Sequence, residues 1–221
     1  MNVEEAMVGR YSCRAYLDRP VARELVEKIL DMARWSPSGA NIQPWQVAVV
    51  QGETQARLSE RFLAAMAAGE KPAPDYQYYP KAWVEPYKSR RFQCGMALYE
   101  ALQIERDDKE RRLQAWQDNY RFFGAPLALF FFIDSTMETG AWLDMGMFIQ
   151  NVMLAAREQG LETCPQASTA DYPKVVREVL GIPDDKLLLC GMAMGYPDAG
   201  HPVNNYRTDR EPVERFTRWY D

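Results

Sequence analysis

The sequence predicts an α+β fold in which a mixed β-sheet is surrounded by helices. Two apolar runs of strand length support this prediction: Leu127–Ile133, and the Leu187–Cys190 core of a longer segment, Lys186–Met194. Amphipathic helical patterns lie between the predicted strands and provide apolar faces that would cover the sheet. Because no internal repeat or inter-domain linker interrupts the chain, residues 1–221 are predicted to form a single domain.

Composition and charge exclude several classes of partner. Hydrophobic residues make up 47% of the 221 residues, which is enough for a sizeable core. The net charge of −5 argues against nucleic acid or an anionic membrane surface as the main partner. No apolar run approaches the roughly 20 residues that span a bilayer. The sequence therefore predicts no nucleic-acid partner and no membrane partner.

Cysteine and histidine usage limits the location and the chemistry. The four cysteines form no CxxC pair, and the N-terminal residues lack the basic start and apolar core of a signal peptide. Reduced thiols and a cytoplasmic location are therefore expected. The single histidine, His201, excludes a histidine-rich zinc site and leaves a Ser-His-Asp triad dependent on one loop residue, so no metal site is predicted.

The first half of the chain predicts three helices and one strand. A short helix is expected over Asn2–Gly9, and a longer one over Val21–Arg34, with Pro20 just before its start. Val47–Val50 reads as a buried strand, and Glu53–Ala68 as an amphipathic helix.

The segment Glu70–Lys88 contains four prolines and five aromatic residues. It is too rich in proline for a helix and too aromatic for a disordered linker, so it is interpreted as an ordered surface loop. Aromatic packing of a long loop and a substrate lid are both open interpretations. Helices are predicted to follow over Ser89–Ile104 and Asp107–Asn119, the second opening with a charged, solvated face.

The helical segment Trp142–Gln159 is apolar nearly all round, so it must be buried at the centre of the molecule or at a subunit interface. A short helix over Asp171–Leu180 precedes the last strand. Phe216, Trp219 and Tyr220 give the tail apolar groups that a solvated tail would not need.

A basic pattern occurs in the segment Arg10-Tyr11-Ser12-Cys13-Arg14. If this segment is extended, Arg10, Ser12 and Arg14 point the same way, because strand side chains alternate. Two guanidinium groups and a hydroxyl on one side suit a phosphate group. The alternative interpretation is a solvated basic edge.

A rigid loop is predicted over Ser36–Trp45. Pro37 fixes its own φ and ends the preceding helix, and Gly39 allows a turn that a Cβ would obstruct. Backbone N–H groups and small side chains in such a loop can lie against a flat polar ring. The alternative is an ordinary helix-to-strand connection.

Together these two segments resemble the FMN-dependent nitroreductase family, in which the first holds the FMN phosphate and ribityl chain and the second reads PSGxNxQPW. The resemblance extends from Arg10 to about Val213. It looks closest to the nitrobenzoate-reductase-like branch, on the residues Glu85–Tyr87, Asn119–Pro126, Asp144–Asn151 and Thr163–Gln166.

The resemblance implies a nitroreductase-like homodimer with exchanged C-terminal tails and FMN at the subunit interface. It implies NADH or NADPH as electron donor and ping-pong hydride transfer to a small aromatic acceptor, either a nitroaromatic or a quinone-type compound. Since FMN would carry the chemistry, no residue is assigned a catalytic role. A purely flavin-binding, non-catalytic protein is the alternative from a different class.

The resemblance also implies site residues. Arg10, Ser12 and Arg210 would hold the phosphate, Arg14 would lie near N1 and O2 of the flavin, and Asn119, or alternatively Arg121, would contact the ring. The implied cofactor-binding set is Arg10, Tyr11, Ser12, Arg14, Pro37, Ser38, Gly39, Asn41, Asn119, Cys164, Pro165, Gln166, Arg207 and Arg210, and the implied substrate-binding residues are Ala40 and Tyr87.

Two further alternatives concern chemistry. A flavin-dependent reductive dehalogenase resembling iodotyrosine deiodinase shares the Arg10–Arg14 and Pro37–Ala40 features, but it needs a Glu-x-x-x-Tyr pair. Glu85 and Tyr87 are two residues apart and do not match that pattern. Cys164 could be interpreted as a nucleophile; with no histidine nearby in sequence, a buried inert thiol is expected.

Overall fold

A computed structural model describes every residue from Met1 to Asp221. Four strands form one sheet in the order β1-β2-β4-β3. The strands are β1 (Gln46–Gln51), β2 (Leu127–Asp134), β3 (Glu162–Gln166) and β4 (Lys186–Gly195). All three pairings between these strands are antiparallel.

Eight helices surround the sheet, and short 3₁₀ turns connect several of them. None of the helices combines the length and the apolar character needed to cross a membrane. The helices are α1 (Val3–Gly9), α2 (Arg23–Ala33), α3 (Gly52–Ala67), α4 (Tyr87–Ala101), α5 (Lys109–Gln117), α6 (Thr139–Glu158), α7 (Pro173–Leu180) and α8 (Val213–Phe216).

Strand β2 lies inside the sheet and supplies side chains to two apolar cores. Its odd-numbered residues pack with α2 and α6, for example Phe131 with Phe148 at 6.3 Å between ring centroids. Its even-numbered residues pack with α3 and α7, for example Phe130 beside Phe62 in the second core. Because helices cover both faces, every side chain of Leu127–Ile133 is 2% exposed or less. This explains why the strand is a continuous apolar run rather than an alternating one.

The sheet differs from the prediction in two respects. Its strand pairs are antiparallel, and the parallel component is a single isolated bridge between Ser12 and Thr163. Strand β3 was not predicted as a strand, because Pro165 cannot donate a ladder hydrogen bond. The strand tolerates this proline because it lies at the edge of the sheet.

Most helix boundaries agree with the predictions to within two or three residues. Helix α4 begins at Tyr87 rather than Ser89, so Tyr87 belongs to its first turn. Helix α6 begins at Thr139 rather than Trp142. Helix α7 begins at Pro173 rather than Asp171, because a 3₁₀ turn precedes it and proline suits the first helical position.

The α4–α5 segment (Tyr87–Gln117) contains no buried residue in either helix, and its Trp116 packs edge-on against the core residue Tyr120 at 5.2 Å between ring centroids. The connection between the helices is nevertheless defined. Asp108 caps α5 by accepting from the backbone N–H of Arg111 at 3.0 Å, and the Arg111 guanidinium donates to the carbonyl groups of Leu102 and Gln103.

Helix α6 has one face in the core and one at the surface. Met145, Phe148 and Val152 are buried against α2 and the sheet. On the other side, Leu143 is 71% exposed and Met147 is 40% exposed. The helix was predicted to be buried on nearly all sides. Within a single chain, only the face that packs against α2 and the sheet is buried.

The Glu70–Lys88 loop is ordered, as predicted, and is attached to the end of the sheet. The Asp75 carboxylate accepts from the Arg177 guanidinium at 2.6 Å and from the backbone N–H of Leu188 at 2.8 Å. The Tyr76 hydroxyl donates to the Leu189 carbonyl at 2.6 Å, and the ring packs edge-on against Trp142.

Candidate functional site

A cleft of about 710 Å³, here called the cationic cleft, lies where a segment near the N-terminus meets the C-terminal tail. It is lined by several of the cofactor-binding residues implied by the sequence, together with residues that the sequence did not indicate. Its polar and aromatic lining consists of Arg10, Tyr11, Ser12, Arg14, Tyr206, Arg207, Thr208 and Arg210, with Cys94 of α4 at one side.

The Arg10–Arg14 segment is fixed from both sides. On one side, Ser12 bridges to Thr163 of β3, and the backbone N–H of Cys13 donates to the Thr163 carbonyl at 3.0 Å. On the other, Asn204 accepts from the backbone N–H of Arg14 at 2.9 Å and donates to the Ala15 carbonyl at 2.8 Å. The extended conformation expected from the sequence is thus held by long-range contacts.

The four arginines of the cleft have no carboxylate partner in the chain. Arg14 donates to the Ser12 carbonyl at 3.2 Å and to the Tyr206 hydroxyl at 3.1 Å. The Arg207 guanidinium lies 4.1 Å from the centre of the Tyr11 ring. Arg210 donates to the Thr208 hydroxyl at 2.8 Å. Cations oriented by neutral groups and left without anions form a site for an anionic ligand.

Electrostatics within the cleft support the same conclusion. Burial, and then the neighbouring Arg210 charge, lower the pKa of Arg10. Burial raises the pKa of the Tyr11 hydroxyl to about 12, so this phenol stays neutral at physiological pH. An anion bound between Arg10 and Arg210 would replace a repulsion with two attractions.

Strand β3 lies next to the Arg10–Arg14 segment of the cleft. Cys164 is buried, and burial raises the pKa of its thiol, which confirms the prediction of a buried thiol rather than a reactive one. Gln166 is 2% exposed; its amide donates to the Asn119 carbonyl at 2.6 Å, while its Oε1 has no partner. The Thr163 hydroxyl is also buried without a partner. Two buried polar side-chain atoms of β3 therefore have no partner within the chain.

Asn119 and Arg121, the two alternatives for a ring contact, have different surroundings. Asn119 is half-buried, and its backbone carbonyl accepts from Gln166. Arg121 is exposed and pairs with Asp118 at 3.2 Å. The geometry therefore favours Asn119, because its backbone is linked to β3 and Arg121 is engaged at the surface.

The Ser36–Trp45 loop does not line the cationic cleft. It lies against α6, where the backbone N–H of Gly39 donates to the Asp144 carboxylate at 3.2 Å and the Asn151 amide donates to the Ser36 hydroxyl at 2.7 Å. Trp45 stacks on Phe148 at 4.8 Å. The loop residues Ala40, Asn41 and Gln43 have positive φ, so this backbone is strained as well as anchored.

A single chain therefore assembles part of the predicted set. Arg10, Tyr11, Ser12, Arg14, Arg207 and Arg210 share one cleft, and Cys164, Pro165 and Gln166 lie on the adjoining strand. Residues Pro37 to Asn41 lie on a separate exposed loop, and Tyr87 is exposed at the start of α4.

The sequence did not predict Tyr206 and Cys94 as cleft residues, nor Asn204 as the residue that fixes the backbone of Arg14. Asn204 and Tyr206 directly precede Arg207 in the segment Asn-Asn-Tyr-Arg. Their closeness in sequence to an arginine of the implied cofactor-binding set could have indicated a place near the site. Nothing in the local sequence of Cys94 indicates its position, since it reaches the cleft through the placement of α4.

The chain resembles known proteins over nearly its whole length. A profile described as the Nitroreductase family matches residues 7–196. The 4-nitrobenzoate reductase of Pseudomonas putida is 36% identical over 216 residues, which cover 98% of this chain and 94% of that protein.

Solved structures agree with the sequence comparison. The FMN and NADPH-dependent nitroreductase NfnB of Sphigopyxis sp. strain HMH is 41% identical with a TM-score of 0.97, covering 100% of both chains. The FMN-dependent nitroreductase NfnB of Mycobacterium smegmatis, solved in complex with NADPH, is 32% identical with a TM-score of 0.94, covering 99% of this chain and 97% of that one. The fold is nitroreductase-like, and the chain belongs to the Nitroreductase family.

Proposed function

We propose that this protein is an FMN-dependent oxidoreductase that uses NADH or NADPH to reduce nitroaromatic or quinone-type acceptors. The observation that carries the proposal is the cationic cleft, in which four arginines lack any carboxylate partner. The FMN-dependent relatives support it. When bound, FMN supplies the redox chemistry, accepting electrons from the dinucleotide and passing them to the acceptor. The protein supplies binding, orientation and electrostatics.

The cleft residues fit the phosphate and ribityl parts of FMN. Arg10, Ser12 and Arg210 are assigned to the phosphate, because two guanidinium groups and a hydroxyl on one cleft wall can donate several charge-assisted hydrogen bonds to it. Arg207, stacked on Tyr11, adds a further cation at the same wall. Arg14, anchored on Tyr206, is assigned to the flavin ring as a charge near N1 and O2.

The adjoining strand fits the ring. Cys164, Pro165 and Gln166 are assigned to ring contacts, because β3 adjoins the Arg10–Arg14 segment of the cleft through the bridge between Ser12 and Thr163. Asn119 is held next to Gln166 by the hydrogen bond to its carbonyl. No carboxylate occurs at positions 164–168, so ring contacts here come from the backbone or from amide groups.

We further propose a homodimer in which the partner subunit completes each site. The Ser36–Trp45 loop, which carries Pro37, Ser38, Gly39, Ala40 and Asn41, does not reach the cationic cleft of its own chain. Leu143 and Met147 leave one face of α6 exposed, and Phe216, Trp219 and Tyr220 are exposed in the tail. These surfaces are accounted for if the loop faces the partner's cleft and the tails are exchanged.

The remaining expectations follow the same proposal. Residues 1–221 are proposed to form one domain, because segments near both chain ends meet in the cationic cleft beside a single sheet. A cytoplasmic location is proposed because all four cysteines are free thiols. Ala40 and Tyr87 are proposed to contact the acceptor.

The test is the spectrum of the purified protein. The protein should be yellow, carry about one FMN per chain, and lose its flavin absorbance when NADH or NADPH is added without oxygen. Extracted flavin should be FMN rather than FAD, because the sequence has no GxGxxG loop for a second phosphate and an adenosine. A colourless protein would contradict the proposal, and a yellow protein that neither dinucleotide bleaches would indicate flavin binding without catalysis.

The dehalogenase alternative receives no comparable support from the structure. The Glu85 carboxylate accepts from the backbone and hydroxyl of Ser89, at 3.2 and 2.6 Å, and is therefore engaged locally. Tyr87 is exposed and lies near Arg90 rather than Glu85. Glu85 and Tyr87 therefore do not form the Glu and Tyr pair that the dehalogenase would need.

A further inference from the structure

A second cleft, of about 810 Å³, lies along helix α4, and Arg112 of α5 lines one side of it. It is here called the α4–α5 cleft, and its charged and aromatic lining includes Lys88, Arg91, Tyr99 and Arg112. Cys94 lines both this cleft and the cationic cleft. A ligand in the α4–α5 cleft would therefore be adjacent to a flavin bound in the cationic cleft.

The α4–α5 cleft carries unpaired positive charge beside aromatic rings. Lys88, Arg91 and Arg112 form no ion pair. Arg112 lies 4.6 Å from the centre of the Tyr99 ring, and its buried Nε has no hydrogen-bond partner. Arg91 lies 5.2 Å from the Trp83 ring. These guanidinium groups are oriented by neighbouring aromatic faces rather than by carboxylates.

The one carboxylate in the lining, Glu85, is occupied by Ser89 at 2.6 Å. Its Oε2 is therefore engaged by the first turn of α4, and with one carboxylate against Lys88, Arg91 and Arg112 the lining keeps a net positive charge. Guanidinium groups combined with aromatic rings suit a ligand that joins a planar ring to an anionic group.

We propose that the α4–α5 cleft binds the adenosine 2′-phosphate end of NADPH and makes this phosphate a determinant of donor choice. This rests on the proposed function and extends it to the identity of the donor. A one-ring acceptor that reacts at the flavin would leave most of an 810 Å³ neighbouring cleft empty. A dinucleotide is long enough to place its nicotinamide at the flavin and its adenosine end in that cleft. NADH has the same adenine but lacks the 2′-phosphate that Lys88, Arg91 and Arg112 would bind.

The direct test is calorimetric binding of two probes to FMN-loaded protein, adenosine 2′,5′-bisphosphate and 5′-AMP. The bisphosphate should bind at least about tenfold more tightly, because the added phosphate accepts charge-assisted hydrogen bonds. Arg91→Gln and Arg112→Gln should each remove about tenfold of the bisphosphate affinity and leave the AMP affinity nearly unchanged.

Arg106→Gln is the matched control, because Arg106 is exposed in the connection between the two helices, forms no ion pair and lines neither cleft. It makes the same change in net charge and should leave both affinities unchanged. FMN content and circular dichroism of each variant establish that the fold and the cofactor are retained.

A kinetic measurement complements the binding data. In wild-type protein, anaerobic flavin reduction should be more efficient with NADPH than with NADH, and Arg112→Gln should reduce that ratio about tenfold. The inference is overturned if the bisphosphate binds no better than AMP, if the variants weaken both probes equally, or if Arg112→Gln instead impairs oxidation by 4-nitrobenzoate and spares oxidation by nitrobenzene. A protein that lacks FMN, or that neither dinucleotide reduces, would contradict the proposed function itself.

Discussion

Strand β2 and the α4–α5 segment are parts of one chain that use their apolar side chains differently. Every side chain of Leu127–Ile133 is buried, and each packs against helices of the same chain. In contrast, neither α4 nor α5 buries a residue, and Phe92 is 66% exposed. The sheet and its covering helices therefore hold a core that is complete within one chain. The α4–α5 segment, the outer face of α6 and the tail are surfaces that one chain leaves uncovered.

This difference assigns the stability of the fold to the buried core, and ligand binding and assembly to the surfaces that one chain leaves uncovered. The complete core fixes β3 and β4, and β3 in turn holds the Arg10–Arg14 segment of the cationic cleft. Of the incompletely covered surfaces, the α4–α5 segment contributes residues to both clefts. Changes in the first region should lower the free energy of unfolding, whereas changes in the second should affect assembly, binding or redox properties.

The largest expected effect is on the core. Phe130→Ala should lower the free energy of unfolding by about 3–5 kcal/mol, because it removes a fully buried ring that packs edge-on against Phe122 at 5.9 Å and leaves a cavity. Urea denaturation at fixed protein concentration measures the change. Phe92→Ala is the control and should stay within about 0.5 kcal/mol of wild type. Similar losses in both variants would show that the α4–α5 segment is part of the cooperative core after all.

The next effect concerns assembly. Leu143→Glu should convert the proposed homodimer into a monomer, because a carboxylate on the exposed face of α6 would have to be buried without a partner. Light scattering of the FMN-loaded protein measures the mass. Leu17→Glu, at an exposed apolar position outside the helices, should remain dimeric. A folded monomer in the wild-type protein would contradict the proposed homodimer, and a dimer that survives Leu143→Glu would place the interface elsewhere.

A smaller effect distinguishes two arginines of the cationic cleft. Arg14→Ala should retain much of the FMN and lower its reduction potential by several tens of millivolts, since a contact worth roughly 1.5–3 kcal/mol with the reduced anionic ring is lost. Arg210→Ala should weaken FMN retention and leave the potential of the remaining flavin unchanged. Spectroelectrochemistry of both variants measures this. If Arg14→Ala sheds FMN at an unchanged potential, Arg14 is a further phosphate ligand.

The smallest effect is a pH dependence at the end of β2. The Lys186 ammonium, 2.6 Å from the Asp134 carboxylate, and the Thr136 hydroxyl and N–H lower the pKa of Asp134. Because the pKa is lower in the folded state, the carboxylate stabilises the fold above the unfolded carboxyl pKa, and this contribution is lost as the pH falls toward the folded value. Thermal unfolding of wild type and Asp134→Asn should therefore differ near neutral pH and converge in acid. Asp185→Asn, whose contact to Lys186 is longer at 3.2 Å, should show a smaller difference.

The parts of the fold that depend on local sequence were predictable. Strand β2 and helix α3 were predicted to within a residue, because an apolar run and a 3.6-residue period define them without distant partners. Strand β3 was not predicted, because it has five residues and contains Pro165. Only its position at the sheet edge makes it a strand, and that position depends on pairing with β4.

The charged residues of the candidate site were predictable from the sequence, but the long-range contacts that position them were not. Arg10, Ser12 and Arg14 were identified by their spacing and do share a cleft. Asn204 was not identified, because its hydrogen bond to Arg14 joins residues 190 positions apart. Placement of the Ser36–Trp45 loop against α6 depends on Asp144 and Asn151, which no local pattern connects to that loop.

That separation along the chain has a consequence for synthesis. The cationic cleft needs Arg14 and Asn204 together, and Arg207 and Arg210 follow Asn204. The strands of the sheet are complete at Gly195, so a chain that includes β4 and stops before Asn204 contains every strand of the sheet but not the cleft. The cationic cleft thus depends on residues that follow the last strand of the sheet. A nascent or truncated chain that ends before Asn204 would hold a core without the means to retain its flavin, and cofactor content reports whether translation reached the tail.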